Sequence, residues 1–226
     1  MSNIGFRVLK RRRQVSAEMV GKFRDLPVAN ISDSMNRLTA GGASIRPLHS
    51  DGLLCGPAVT IRTRPGDNLM VHMALNLAQA GDVLVVDAGG DLTNAIVGER
   101  MLAYCQAKKF AGIVIDGAVR DLSYIKQHPF PVFAAGVTHR GPYKDGPGEI
   151  NVPVAIDGMV IEPGDLIIGD DDGLLCIPFA EAEGILALAT KKHRDEVATF
   201  GDIGKGDNDS ARYRAKLEGL GCTFEA

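Results

Sequence analysis

Ala111-Gly112-Ile113-Val114-Ile115-Asp116 is an apolar run that ends in a carboxylate, and Gly117-Ala118-Val119-Arg120-Asp121 follows it as a glycine-containing turn. A run with no polar alternation suits a strand buried on both faces, as in the centre of a parallel sheet. Val83-Leu84-Val85-Val86-Asp87 has the same form and is followed by a second tight turn, Ala88-Gly89-Gly90-Asp91. Between the two, residues 95 to 108 show helical spacing. A short helix to about Lys126 and a strand at Pro131-Val132-Phe133-Ala134 continue the series. Helices between apolar strands predict parallel βαβ units.

On the N-terminal side, Gly66-Asp67 reads as a turn and helix cap before a helix over Leu69 to Ala78. Residues 53 to 64 read as a strand, with Val59, Ile61 and Thr63 alternating with Thr60 and Arg62. Residues 15 to 38 divide into two helices. Ser16 caps the first, which runs through Phe23, and Leu26-Pro27 interrupts the pattern. Asn30 or Ser32 caps the second, through Leu38, and Gly41-Gly42 ends it.

On the C-terminal side, glycine and proline become frequent between Gly141 and Pro163. Short apolar runs appear at Val152 to Ile156, Met159 to Ile161, Leu166 to Gly169 and Leu174 to Ile177. Asp157-Gly158 and Asp172-Gly173 mark hairpin turns, so this part reads as antiparallel β. A helix over Ala180 to Val197 follows, then a polar, glycine-rich tail with a last helix around Ser210 to Glu218. The expectation is one domain over 1–226, with its core at about 26–195 and helical terminal segments at 1–25 and 196–226.

The 226 residues are 45% hydrophobic and 23% charged, the balance of a globular chain able to bury a core without disulfides. A net charge of −3 does not favour nucleic acid as a partner. The one basic run, Lys10 to Arg13, reads as a solvated helix face. Cys55, Cys105, Cys176 and Cys222 form no C-x-x-C pair, so zinc and redox motifs are not signalled. The N-terminus lacks the apolar core of a secretion signal, and no run approaches the length of a membrane span. The expected location is cytoplasmic, and the sequon Asn30-Ile31-Ser32 is read as chance.

Walker, dinucleotide, nucleophile-elbow and H-E-x-x-H motifs are absent. His49, His72, His128, His139 and His193 stand apart from one another and read as packed or surface residues. What remains is the pair of strand ends, because ligands of open α/β sheets bind beyond the carboxyl ends of the strands. There a helix N-terminus favours an anion, Arg120 offers a planar fork for a carboxylate, and Asp121 offers a hard oxygen for magnesium or manganese. From spacing alone, a surface ion pair capping a helix is the favoured reading of Arg120 and Asp121.

Gly98-Glu99-Arg100-Met101-Leu102, with Gly112 to Asp121, resembles the family of the regulator of RNase E activity A, which also contains the 4-hydroxy-4-methyl-2-oxoglutarate aldolases. The shared pattern is an acidic residue, twenty intervening residues, then Arg-Asp, here Glu99, Arg120 and Asp121. The resemblance extends to Val28 to Ser34, Pro65 to Asn68, Gly81 to Asp87, Gly164-Asp165 and Asp170 to Gly173, and covers about 26–195. Where the aldolases are often described with Asp at the first acidic position, this chain has Glu99.

The resemblance implies an α/β fold: a layered β/β/α, swivelling-domain-like sandwich with a central parallel sheet, an antiparallel β section and helices at both ends. It also implies a class II pyruvate aldolase with oxaloacetate decarboxylase activity. In that mechanism Gly98, Glu99, Arg100 and Met101 present backbone N–H groups to a 2-oxo acid, and Arg120 binds it and stabilises the enolate. Asp121 holds Mg2+ or Mn2+, and Glu99 orients or relays through a metal-associated water that serves as base. No Schiff-base lysine lies in the motif. A homotrimer, or a hexamer of two trimers, is the implied assembly. The rival reading is a non-catalytic regulator that binds an RNA-processing endonuclease. A methyltransferase finds little support, since Gly89-Gly90-Asp91 is a poor cofactor loop.

Overall fold

The computed structural model describes residues 3–38, 43–204, 206 and 210–225, with Asp202 described by its backbone alone. Two strands, β4 (Val83–Asp87) and β6 (Gly112–Val119), lie parallel at the centre of a mixed sheet. Their unbroken apolar character has a direct cause. Leu84, Val86, Ile113 and Ile115 enter one buried cluster, while Val83, Val85 and Val114 enter another. Successive side chains of a strand point to opposite faces, so both faces must be apolar.

Parallel to these run β3 (Leu54–Thr63) on one side and β7 (Val132–Val137) on the other. The connecting helices α3 (Leu69–Leu77), α4 (Glu99–Ala107) and α5 (Leu122–Gln127) supply Val71, Leu102 and Ile125 to the same cluster. They therefore form one layer on one face. At the sheet margins, β8 (Gly148–Ile150) pairs antiparallel with the end of β3, β1 (Phe6–Val8) pairs parallel with β8, and β2 (Arg46–Pro47) pairs antiparallel with β7.

The opposite face carries a second β layer. The hairpin of β9 (Val154–Ile156) and β10 (Met159–Ile161) turns at Asp157 and Gly158, with φ of 52° and 83°. Paired positive φ values are what a two-residue hairpin turn demands. β11 (Leu166–Asp170) and β12 (Gly173–Ile177) form a second hairpin, and β11 pairs antiparallel with Leu54–Pro57, the first part of β3. β3 is thus shared between two pairing systems. A third buried cluster, including Phe23, Ile31 and Ile168, joins α1 (Ala17–Phe23), α2 (Val28–Ser34) and α6 (Ala182–Ile203) to this layer. α7 (Ser210–Gly219) has no buried residue. The layered α/β expectation matches this architecture. No helix among the described residues is long and apolar enough to cross a membrane.

Several local expectations are corrected. Ala95–Val97 form a strand, β5, against Ala118 and Val119, rather than the first turn of a helix; all three are buried, and α4 begins only after Gly98. Gly117-Ala118-Val119 continue β6 rather than turning. The register against β7 is irregular between Ile115 and Ala118, where the strand glycine lies. α2 starts at Val28, directly after Pro27, so neither Asn30 nor Ser32 caps it. Asn30 is buried instead, its Nδ2 donating to Glu196 Oε2 at 2.8 Å. Ser16 does cap α1, accepting from the Met19 N–H. α6 runs six residues past its expected end at Val197, and β1 was not expected. The Gly41-Gly42 stop lies outside the described residues.

Candidate active site

Arg120 and Asp121 follow the last residue of β6, and the Arg120 N–H donates to Val97 O at 3.0 Å, which locks the motif to the end of β5. Asp121 takes φ 63°, ψ 44°, a left-handed conformation that costs a non-glycine residue on the order of 1 kcal/mol. Although Asp121 immediately precedes α5, its carboxylate makes no capping bond there. Oδ2 turns to the start of α4, accepts from the Glu99 N–H at 2.8 Å, and lies 3.7 Å from Arg120 Nε. A carboxylate at a helix N-terminus meets the positive end of the helix dipole. The ion-pair and helix-cap reading is thus realised, but on the preceding helix.

Gly98 makes this approach possible. A Cβ there would lie 2.4 Å from Asp121 Oδ2 and 2.7 Å from Arg120 Cγ. Of the first-turn N–H groups of α4, that of Glu99 goes to Asp121, and those of Met101 and Leu102 go to Gly98 O. The Arg100 N–H has no acceptor among the described residues. The backbone donors expected of Gly98 to Met101 are therefore partly engaged within the protein.

Arg120 and Asp121 stand at a cleft of about 420 Å3. Asn68, which directly precedes α3, and His72 on α3 line it, with Arg100, Met101 and Tyr104 from α4 and Pro142 and Lys144 from the segment after β7. Gly98 also lines it. Glu99 does not: its side chain is exposed and only its N–H reaches Asp121.

Asn68 is 2% exposed. Its Nδ2 donates to Ile96 O at 2.8 Å and contacts Met101 Sδ at 3.4 Å, while its Oδ1 has no partner. Next to it, Asp67 is fully buried and fastens two walls together. Oδ1 accepts from the Leu69 N–H of α3, and Oδ2 accepts from the Asp145 and Gly146 N–H groups and from Arg64. Burial pushes the Asp67 carboxyl up, but these N–H donors and the guanidinium outweigh it and hold the group below the usual carboxylate range.

Four basic side chains, His72, Arg100, Arg120 and Lys144, line the cleft against a single carboxylate, Asp121. His72 is held below the ordinary imidazole range, first by burial and then by Lys144 and Arg100. Such a cleft suits an anionic ligand. No group of three His, Cys, Asp or Glu side chains suited to a metal is present among the described residues. Asp121 Oδ1 has no hydrogen-bond partner there, so the donor set fits a hard cation held by one carboxylate oxygen and water. It does not fit a zinc site built from several protein ligands.

The other strand-end carboxylates lie elsewhere. Asp87 and Asp116 fall in the two-residue repeat of Val85 and Val114, so they leave the sheet on the face opposite α3 and α4. Arg62 approaches Asp87 at 3.5 Å. Burial, then repulsion from Asp87 and Asp157, raises the Asp116 carboxyl. Of the histidines, His49 and His128 bond to backbone carbonyls, whereas His72 lines the cleft. Asn68, His72, Tyr104 and Lys144 had not been singled out as site residues from sequence. One signal was available: Asn68 and His72 are four residues apart and so share a helix face, directly after Pro65-Gly66-Asp67.

A family model described as RraA-like, Aldolase/RraA, matches residues 28–176. A Halalkalibacterium halodurans protein with the provisional name 4-hydroxy-4-methyl-2-oxoglutarate aldolase is 42% identical over 205 residues, covering 91% of this chain and 96% of the relative. A Thermus thermophilus 4-hydroxy-4-methyl-2-oxoglutarate aldolase is 38% identical over 112 residues, covering 50% of this chain and 68% of the relative. Among solved structures, the RNA-processing inhibitor RraA from Thermus thermophilus aligns with a TM-score of 0.63 at 31% identity, over 68% of this chain and 93% of that one.

Proposed function

This chain belongs to the RraA-like family, and from that premise we propose that it is a divalent-metal-dependent class II aldolase. Its substrate is 4-hydroxy-4-methyl-2-oxoglutarate or a related 4-hydroxy-2-oxo acid, its product is pyruvate, and it also decarboxylates oxaloacetate. The observation that carries this reading is the placement of Arg120 and Asp121 together at the mouth of a basic cleft, beside the N-terminus of α4.

Both reactions leave an electron pair beside a 2-keto group as the enolate of pyruvate. Catalysis requires fixed positive charge where that charge develops. Arg120 supplies a guanidinium that stays charged and can hold a carboxylate or enolate oxygen in a fork. The open Arg100 N–H adds a donor at the helix N-terminus. Asp121 Oδ1 would hold Mg2+ or Mn2+, and the ion's chemistry is Lewis-acid polarisation of the 2-keto oxygen. Glu99 keeps a role only from the rim, through solvent.

The test is pyruvate release by the purified protein from 4-hydroxy-4-methyl-2-oxoglutarate and from oxaloacetate, with added magnesium and with excess chelator. Release that needs the metal supports the proposal. Undiminished release in chelator removes the metal role, and no release from either substrate removes the enzyme.

The likeness to the Thermus thermophilus RNA-processing inhibitor favours a second reading, a non-catalytic regulator of an RNA-processing endonuclease. The same assay separates the two, since a regulator alone releases no pyruvate. We also infer a homotrimer or a hexamer of two trimers, supported by Val197, Phe200 and Ile203, which α6 leaves exposed. A single-chain mass by light scattering would remove that inference.

A further inference from the structure

The basic run Lys10 to Arg13 is not a solvated helix face. Residues 6–15 contain no helix and cross the molecule as a strap, ahead of the residues that the family model matches. Three arginines pin it. Arg7 Nε donates to Glu149 Oε1 at 2.7 Å, and Glu149 is 3% exposed. Arg11 grips both carboxylate oxygens of Asp82, at 2.8 and 3.1 Å, directly before β4. Arg13 pairs with Glu162, and the Val15 N–H donates to Gly164 O at 3.0 Å.

The first end of the strap meets the cleft wall. β8 is three residues long, with β3 on one side and β1 on the other, so β1 turns a short edge strand into an interior one. The Leu9 N–H donates to Ile150 O at 3.0 Å, and Asn151 Nδ2 donates to Leu9 O at 2.8 Å, which extends the clamp past the strand. Directly before β8, Tyr143 to Pro147 carries Lys144 into the cleft. Phe6 reaches the middle of that segment: a Cβ at Gly146 would lie 3.5 Å from Phe6 Cε2 and 3.7 Å from Leu69 Cδ2. From the other side, the Asp67 carboxylate accepts from the Asp145 and Gly146 N–H groups. The segment is thus held between the start of α3 and β1.

We infer that β1 is a positioning element of the cleft: Phe6 and Arg7 fix the Tyr143 to Pro147 segment, and with it the place of Lys144. The kinetic half of this inference rests on the aldolase reading above. Arg7 and Phe6 touch neither substrate nor reacting atoms. Their effect reaches the ligand through the wall they hold, so binding responds and the chemical step does not. The far end of the strap supplies the contrast. Arg13 meets Glu162 in the second β layer, and Arg11 on Asp82 stands between the two ends.

The test compares wild type with Arg7→Ala, Arg7→Lys, Phe6→Ala and Arg13→Ala. Amide hydrogen exchange over residues 143–150 is followed beside steady-state kinetics on 4-hydroxy-4-methyl-2-oxoglutarate and oxaloacetate with magnesium. Exchange in that segment should quicken by about ten-fold or more in Arg7→Ala and Phe6→Ala, a local opening rather than a global one. KM should rise by about five-fold with kcat within about two-fold, the mark of lost uniform binding. Arg7→Lys should recover most of both, and Arg13→Ala should match wild type in both. Should Arg7→Ala fail to fold, Phe6→Ala reads the same contact. Unchanged exchange in both β1 variants would overturn the inference. Equal changes in Arg13→Ala would make the strap a general stabiliser and overturn it too, as would faster exchange with an unaltered KM in an active enzyme. A wild type inactive on both substrates would remove the aldolase reading, and the exchange contrast between the two ends of the strap would then decide the role of β1 by itself.

Discussion

Asp121 Oδ2 accepts the Glu99 N–H at 2.8 Å, so the carboxylate that precedes one helix caps the helix before it. This single bond ties the end of β6 to the start of α4 and aims the neighbouring guanidinium at the cleft. The chain keeps Asp121 in a left-handed conformation to achieve it. The aldolase reading depends on this arrangement, and the first two predictions probe it.

Arg120→Ala should lower kcat/KM for both substrates by roughly 100- to 1000-fold, the usual effect of removing a donor aimed at a developing anion. The side chain is 43% exposed, so thermal unfolding should shift by no more than a few degrees. Steady-state kinetics paired with a melting curve checks both halves. Activity near wild type would show that the enolate forms elsewhere.

Gly98→Ala places a methyl group where Asp121 Oδ2 and Arg120 Cγ now lie. Both obstacles are side-chain atoms, so the protein should fold and the pair should be displaced. Turnover is expected to fall by at least ten-fold, with weaker activation by magnesium. A variant with unchanged kinetics would mean that the close approach at Gly98 has no bearing on catalysis.

Lys144 lines the cleft from outside the Glu99, Arg120 and Asp121 motif, and Lys108 and Lys109, at the end of α4, do not line it. A class II mechanism forms no imine with Lys144. Borohydride reduction in the presence of pyruvate should therefore leave the intact mass unchanged and the activity undiminished after dialysis. A covalent adduct at Lys144 would replace metal and guanidinium with a Schiff base.

Asp67 connects acid stability to the site. Its carboxyl is held below the usual range in the folded protein, so its stabilisation is complete above about pH 4 and is lost as pH falls through the folded value. Asp67→Asn places either an NH2 group or a single carbonyl oxygen before donors that now share a carboxylate. It should cost about 2 kcal/mol at neutral pH and flatten the acid side of the stability profile. Urea titrations of both proteins at pH 7 and pH 3.5 measure the difference, and parallel profiles would argue against the role.

Burial pushes the Cys55 thiol up to about 11 and the Cys105 thiol up to about 12, and burial with Asp165 beside it raises Cys176 well above the ordinary range. Cys222 is exposed. A disulfide reagent at pH 8 should therefore modify one thiol of four in the native protein and all four after unfolding. Rapid native modification of two or more would show that the core opens.

The central strands were legible because burial on both faces leaves an unmistakable mark: five consecutive positions in β4 carry no interior polar residue. Ala95-Ile96-Val97 left no such mark. Three apolar residues before a helix fit either periodicity, and only pairing with Ala118 and Val119 decides the matter. The same division holds in the cleft. Arg120 and Asp121 were found through the motif. His72 and Lys144 are 72 positions apart and line one cleft because the Asp67 carboxylate and the backbone of Gly66 and Asn68 bond to the segment from Tyr143 to Gly146, contacts with no local signature. Asp87 and Asp116 were misdirected for a simpler reason: strand-end position does not specify which face of the sheet a side chain leaves from.

β3 serves two pairing systems, and that sharing bears on how the chain is made. Leu166 lies opposite Pro57, so the first part of β3 lacks its β11 partner until most of the polypeptide has left the ribosome. Until then Leu54 and Cys55, both fully buried in the finished protein, sit on an open edge able to template a strand from another molecule. Contacts this distant in sequence close slowly. The stretch of β3 that the finished sheet hides most completely is therefore the one left uncovered longest while the chain is being made.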